Sequence, residues 1–179
     1  MLHQIHIVSL AVLLSLCQCQ RRNEPTPESQ LPTVTQTGAG TFGCLLNGQP
    51  WTPSGNNGRP NLQVTYDSNY SGGALQIKAY RYTGTNRSIL QAITIGVAGV
   101  TSAGTYAFSL AGPNGIYYSD YGRSTGCSYY GGQTQSYRAG TMTITRFDSG
   151  VVSGTFTFQL GQPGCDTIKV TQGRFDTNF

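Results

Sequence analysis

Charge is scarce in this chain: Asp, Glu, Lys and Arg together make up 10% of its 179 residues, against roughly 25% in an ordinary soluble domain. That scarcity excludes a coiled coil, a charged helical bundle and a basic arm for nucleic acid, all of which need dense charge or Ala/Leu/Glu/Lys periodicity. The surplus of 11 basic over 7 acidic residues gives a net charge of +4, spread too thinly to form a polybasic surface. Histidine is scarcer still. The only two are His3 and His6, so the chain beyond them lacks the residue on which Ser-His-Asp and Cys-His catalysis and nearly every zinc hydrolase site depend. There is one Trp and there are two Met. No P-loop, dinucleotide fingerprint or calcium loop is present, and no metal or cofactor is expected.

Long apolar runs are absent too. Ile7 to Leu16 (IVSLAVLLSL) is the longest, short of the ~20 residues a membrane-spanning helix needs, and it reads as the apolar core of an export signal. No Lys or Arg precedes it, and Cys17 and Cys19 follow at once. A cysteine directly after such a run resembles the lipobox of bacterial lipoproteins, in which it is acylated and becomes the first mature residue. Cys17 follows Leu14, Ser15 and Leu16, while Cys19 follows Leu16, Cys17 and Gln18. Either is the expected lipidation site, and residues 1–19 are expected to form the signal with its lipid anchor. Residues 20–37 (QRRNEPTPESQLPTVTQT) contain Pro25, Pro27 and Pro32 among polar neighbours and read as a disordered tether.

Residues 38–179 read as one all-β domain. Gly is abundant, at 24 residues, and punctuates short segments of strict alternation. Leu75, Ile77 and Ala79 share one face of ALQIKAY, with Gln76, Lys78 and Tyr80 on the other. Ile93, Ile95 and Val97 repeat the pattern, as do Tyr106, Phe108 and Leu110, then Phe156, Phe158 and Leu160, and finally Ile168 and Val170. Period two buries one face and wets the other, as an antiparallel sheet allows. Asn47-Gly48 and Asp148-Ser149-Gly150 read as hairpin turns, and Trp51 as a core or edge residue. The pattern predicts nine or ten strands in an antiparallel β-sandwich, or in a lipocalin-like closed barrel that alternates in the same way.

The domain's carboxylates are Asp67, Asp120, Asp148, Asp166 and Asp176. No pair has a spacing that points to acid–base work, so no catalytic residue is assigned. Its cysteines are Cys44, Cys127 and Cys165. Export favours disulfides. Cys127 and Cys165 both lie in Gly-rich loop sequence and are expected to pair, whereas Cys44 alternates with Phe42 and Leu46 and reads as a small buried hydrophobe.

Ile116 to Arg138 holds six of the eleven tyrosines: Tyr117, Tyr118, Tyr121, Tyr129, Tyr130 and Tyr137. A tyrosine offers a flat apolar face, a hydroxyl at its edge and little rotamer entropy to lose. Interleaved with Gly, Ser and Gln, these six form the candidate binding surface for a glycan or a protein partner. The competing reading is a decorated loop whose tyrosines cover the core.

TFGCLLNGQPWTP (Thr41 to Pro53), GTYAFSL, TMTITRFD, VVSGTFTFQL and the closing IKVTQGRFD together resemble a family of small Bacteroidota lipoproteins of unknown function. The resemblance covers most of Gly38 to Phe179. It implies an outer-membrane lipoprotein, facing the periplasm or the surface, with a single all-β domain and no assigned catalytic residues. The function expected is therefore a membrane-anchored, non-catalytic binding or structural module. An aspartate-dependent hydrolase is the alternative, as is a carrier of lipid or small hydrophobes should the fold be a barrel.

Overall fold

The computed structural model describes residues 25–55, 58–122, 127, 129 and 137–179. Ten strands lie among them: β1 (Thr41–Leu46), β2 (Gln49–Trp51), β3 (Leu62–Asp67), β4 (Ala74–Thr83), β5 (Ile89–Ala98), β6 (Gly104–Ser109), β7 (Gly115–Asp120), β8 (Tyr137–Asp148), β9 (Val151–Gly161) and β10 (Ile168–Asn178). They form two antiparallel sheets, one in the order β2-β1-β10-β9-β8-β6 and the other β3-β4-β5-β7. The sheets stay separate, which makes the molecule a β-sandwich and rules out the closed barrel. The carrier reading required that barrel and falls with it.

The alternation has the predicted effect on both sheets. Leu75, Ile77, Ala79, Ile93, Ile95, Val97 and Ile116 point inward from the small sheet, and Phe42, Met142, Ile144, Phe156, Phe158, Leu160, Ile168, Val170 and Phe175 from the large one. Trp51 is 1% exposed, and its indole N–H donates to Gln91 Oε1 at 3.1 Å, which satisfies the one polar atom that burial would otherwise strand. Two-residue loops close two hairpins. Asn47 and Gly48 (φ 48° and 80°) join β1 to β2, while Ser149 and Gly150 (φ 50° and 77°) join β8 to β9; paired positive φ values are what a type I′ turn demands. Leu110 departs from expectation. β6 stops at Ser109, and Leu110 lies 44% exposed because the chain turns back there, with Gly112 N–H donating to the Ser109 carbonyl and the Arg138 guanidinium donating to the carbonyls of Ser109 and Leu110.

Of the segment expected to be a disordered tether, the part from Pro27 to Thr37 is ordered against the domain. Pro27–Gln30 forms a 3-10 turn with Pro at its start, where the missing N–H costs nothing. Leu31 is buried, and Pro32 rests on Gly43, where an added Cβ would come within 2.6 Å of the proline Cδ. Beyond it the chain wraps around Asp176, which is 1% exposed. Its carboxylate accepts from the Thr35 hydroxyl (2.6 Å), the Thr37 and Gly38 backbone N–H groups (2.9 and 2.8 Å) and the Ser153 hydroxyl (2.6 Å). Arg146 donates to the Gln36 carbonyl. Residues 27–38 are thus docked, because prolines that cannot join a ladder can still lay an extended segment across it.

Cys127 and Cys165 form the expected disulfide, with Cα atoms 5.8 Å apart and a sequence separation of 38. Cys44 is fully buried and free, and burial pushes its thiol up to about 12.

Three outcomes follow from this architecture. Replacing Cys127 and Cys165 by Ser should cost about 4 kcal/mol on the loop-entropy relation for a loop of that length, read as a lower thermal midpoint in calorimetry. Cys44 should resist a maleimide in native protein and react once denaturant is added, with the label located by peptide mass. Burial by itself would raise the Asp176 pKa, but the hydrogen bonds from Ser153, Thr35, Thr37 and Gly38 outweigh it and hold the carboxyl well below the usual carboxylate range. The stability this supplies is complete above the unfolded carboxyl pKa of about 4 and is lost as pH falls from there toward the folded value. Asp176→Asn should therefore lower stability at pH 7 by about 3 kcal/mol and flatten the acid limb of a plot of urea midpoint against pH.

Candidate functional site

The outer face of the small sheet follows from its register. Gln63, Lys78, Thr94 and Tyr117 lie in one row across β3, β4, β5 and β7; Thr65, Gln76, Gly96 and Gly115 lie in the next; Asp67, Ala74 and Ala98 form a third. On the other side of the first row come Tyr80, Ala92 and Ser119, and then Tyr82 beside Leu90. The face therefore carries aromatic rings over a floor of Gly, Ala, Ser and Thr. Directly opposed side chains in a sheet sit about 4.5–5.5 Å apart at Cβ, so a tyrosine beside an alanine or glycine overhangs a step.

One such step is a trough of about 220 Å³ lined by Tyr70, Ala74, Leu75, Gln76, Gly96, Val97, Ala98, Pro113, Gly115 and Tyr117. Two glycines shape it. An added Cβ at Gly115 would come within 2.6 Å of the Tyr117 hydroxyl, so the ring is laid back over Gly115, the covering of a sheet glycine by an aromatic neighbour. At Gly96 an added Cβ would meet nothing nearer than 3.9 Å, and the floor there is open. Tyr70 forms the other wall and is 67% exposed. It stands on the turn between β3 and β4, where Asn69 N–H donates to Asp67 Oδ1 at 2.9 Å, Gly73 N–H to the Tyr70 carbonyl at 3.0 Å and Val100 N–H to the Gly73 carbonyl at 2.9 Å. The aromatic wall is thus held by backbone bonds and preorganised rather than swinging on a free loop.

The tyrosines singled out from the sequence do not make one surface. Tyr117 is on the outer face just described. Tyr121 is 65% exposed and follows β7, its N–H donating to the Leu90 carbonyl, which continues the Tyr82–Leu90 row. Tyr137 is 49% exposed but begins β8 on the other sheet. Tyr118 and Tyr129 must be withdrawn as contact residues: each is 1% exposed, their ring centroids lie 6.3 Å apart, and Tyr129 donates its hydroxyl to the Asp166 carbonyl. Strand parity sends Tyr118 inward beside the outward Tyr117, and Tyr129 follows because its backbone pairs with Tyr118. Tyr130, Cys17 and Cys19 lie outside the described residues. Tyr70, Tyr80 and Tyr82 were missing from the sequence-derived surface. The alternation of KAYRYT, which sets Lys78, Tyr80 and Tyr82 on one side, was the available signal for two of them; for Tyr70 there was none, because a turn residue has no parity.

The carboxylates have structural partners. Asp120 accepts from Gln91 Nε2 at 2.9 Å and from Gly122 N–H at 3.0 Å. Asp148 pairs with Arg146 at 2.8 Å, an exposed bridge whose hydrogen bond holds its carboxyl below the usual value. Among the described residues, four larger depressions have no carboxylate in their linings, and neither does the trough. Among the described residues no group of His, Cys, Asp and Glu could hold a metal ion.

Because Gly96 lies in a central strand with open space above it, Gly96→Val should leave the thermal midpoint unchanged or raise it by a few degrees, since a β-branched residue suits a strand better than glycine. A drop of more than a few degrees would show that a side chain at this position is crowded by its neighbours. Compared with protein-family models, with curated proteins and with solved structures, the chain finds no match.

Proposed function

We propose that this protein is a lipoprotein of the bacterial cell envelope, held in the outer membrane by acylation of Cys17 or Cys19, and that it is a non-catalytic binding module. The anchor rests on the short apolar run that ends at these cysteines and on the resemblance to small Bacteroidota lipoproteins. No helix among the described residues is long and apolar enough to cross a membrane, and acyl chains add about 0.8 kcal/mol for each CH₂ they bury.

The binding role is carried by one observation. The outer face of the small sheet sets Tyr70, Tyr80, Tyr82, Tyr117 and Tyr121 among Gly, Ala, Ser and Thr, with Tyr70 67% and Tyr121 65% exposed. Ordinary exposed sheet faces are met by Thr, Lys and Gln, as the other sheet of this molecule shows with Thr105, Thr141, Thr143, Thr155 and Thr157. The engagement of Asp120, Asp148 and Asp176 in structural bonds favours binding over aspartate-dependent hydrolysis.

The two halves of the proposal are tested separately. Metabolic labelling with an alkyne fatty acid should tag the protein, and Cys17→Ala or Cys19→Ala should abolish the tag; no labelling at all would remove the anchor. Purified protein lacking its acyl chain should adhere to washed cell envelopes, with Tyr70→Ala reducing adhesion several-fold and Thr157→Ala, on the opposite face, leaving it intact. Equal adhesion by all three would remove the binding face.

A further inference from the structure

We infer that one open end of the sandwich holds a binding site for a small monocarboxylate, anchored by Arg81 beside Trp51. The site lies between the sheets, on the reverse of Tyr80 and Tyr82, and goes beyond the outer face described above. The alternation locates it. Leu75, Ile77 and Ala79 face inward from β4, and the same parity continues to Arg81 and Thr83. On β5 the inward series Val97, Ile95 and Ile93 continues to Gln91, which pairs with Arg81. On β2 of the other sheet, Trp51 and Gln49 share the side of Cys44 and Leu46. Three strands from two sheets thus place polar side chains where parity calls for core. With Leu46 and Pro50 they line a hollow of about 320 Å³, within the ~300–1,000 Å³ of small-molecule sites.

Arg81 supplies the charge. It is half-buried, and its Nη1 donates to the Pro50 carbonyl at 3.3 Å, which carries the guanidinium from β4 toward β2. Arg146 pairs with Asp148 and Arg174 with Glu28, but among the described residues no carboxylate pairs with Arg81. Its Nε and Nη2 donors form the edge that receives both oxygens of a carboxylate, and neither bonds to a described residue. The strand beneath is fixed on both sides of the arginine. Ser54 N–H donates to the Tyr80 carbonyl at 3.2 Å, and Tyr82 N–H to the Ser54 carbonyl at 2.9 Å. A cation on held backbone has less ordering to pay for when a ligand arrives.

The other walls choose among anions. A carboxylate is planar and singly charged, so one guanidinium answers it. A phosphate monoester carries about −1.5 to −2 at neutral pH, and the lining holds a single cation to meet it. Asp120 follows Gln91 in the same row and accepts its Nε2 at 2.9 Å, which sets a negative charge behind the site and disfavours a dianion further. Gln91 is engaged on both sides, because its Oε1 takes the Trp51 indole N–H. The Thr83 hydroxyl and the Gln49 amide can bond a polar group on the ligand, while Leu46 and Pro50 give its remainder an apolar wall.

Trp51 is the one tryptophan of the chain, so its indole N–H gives a single signal in a nitrogen–proton correlation spectrum of the whole protein. Titration with benzoate and with hexanoate is compared with the neutral amides of both and with inorganic phosphate. At least one carboxylate should shift the indole signal saturably, and its amide should not. Arg81→Gln should weaken binding about tenfold or more, as should Arg81→Lys, which keeps the charge and loses the fork. Lys169→Gln, on the outer face of the large sheet, should bind as the wild type does. Thr83→Leu narrows the hollow and should also weaken binding, which keeps the site testable if thermal midpoints show that the Arg81 variants disturb β4. Equal shifts by acid and amide, or by phosphate and carboxylate, would overturn the carboxylate as ligand. Undiminished binding by Arg81→Gln or Thr83→Leu, or no shift with either acid, would overturn the site.

Discussion

The burial of two alternating faces against each other underlies every other feature of this molecule. Each strand commits its odd or even residues to the space between the sheets, where Trp51, Phe156, Phe158, Ile77, Ile95 and their neighbours are nearly or completely removed from water. Burial of apolar area at roughly 25 cal/mol per Å² is the dominant favourable contribution to such a fold. Period two then makes the outward residues a dependent quantity: once Leu75, Ile77 and Ala79 face in, Gln76, Lys78 and Tyr80 have no choice but to face out. The candidate site is written on the reverse of the core.

The N-terminal segment uses a different kind of bond. Asp176 lies next to Phe175 on a central strand of the larger sheet, where an unpaired charge would be costly. The segment from Thr35 to Gly38, together with Ser153, supplies the donors that make this charge tolerable. A buried carboxylate so enclosed ties the start of the folded unit to its last strand. Should the chain be anchored through its leading end, force applied there would reach β10 through this cage, and through the Pro32–Gly43 contact, before it reached any hairpin.

The two sheets differ in what they show to solvent. Thr105, Thr143, Thr155 and Arg174 align across one row of the larger sheet, and the Thr105 and Thr143 hydroxyls lie 3.2 Å apart. Cross-strand threonines of this sort stabilise a sheet and leave its face hydrated. The smaller sheet carries tyrosines beside Gly, Ala and Ser, with Thr65, Thr94, Gln76 and Lys78 between them. Such a surface is the basis on which we propose a binding role for this face.

Much of this was legible in the residues. Alternation identified the inward sets of β4, β5, β9 and β10, Asn47-Gly48 and Ser149-Gly150 announced their hairpins, and two cysteines in Gly-rich loop sequence pointed to each other. These signals are local, and local chemistry decides them: a side chain is apolar or not, and a turn tolerates positive φ or does not. What the sequence could not disclose depends on partners distant along the chain. Whether ten alternating strands close into one barrel or stack as two sheets is settled by which edges meet. Whether a proline-rich leader floats or docks is settled by a carboxylate some 140 residues away. A run of tyrosines looks like one surface until strand parity divides Tyr117 from Tyr118. Tyr70 comes to face Tyr117 only because the register of three neighbouring strands brings a turn and a strand together, and no pattern in either segment records the other.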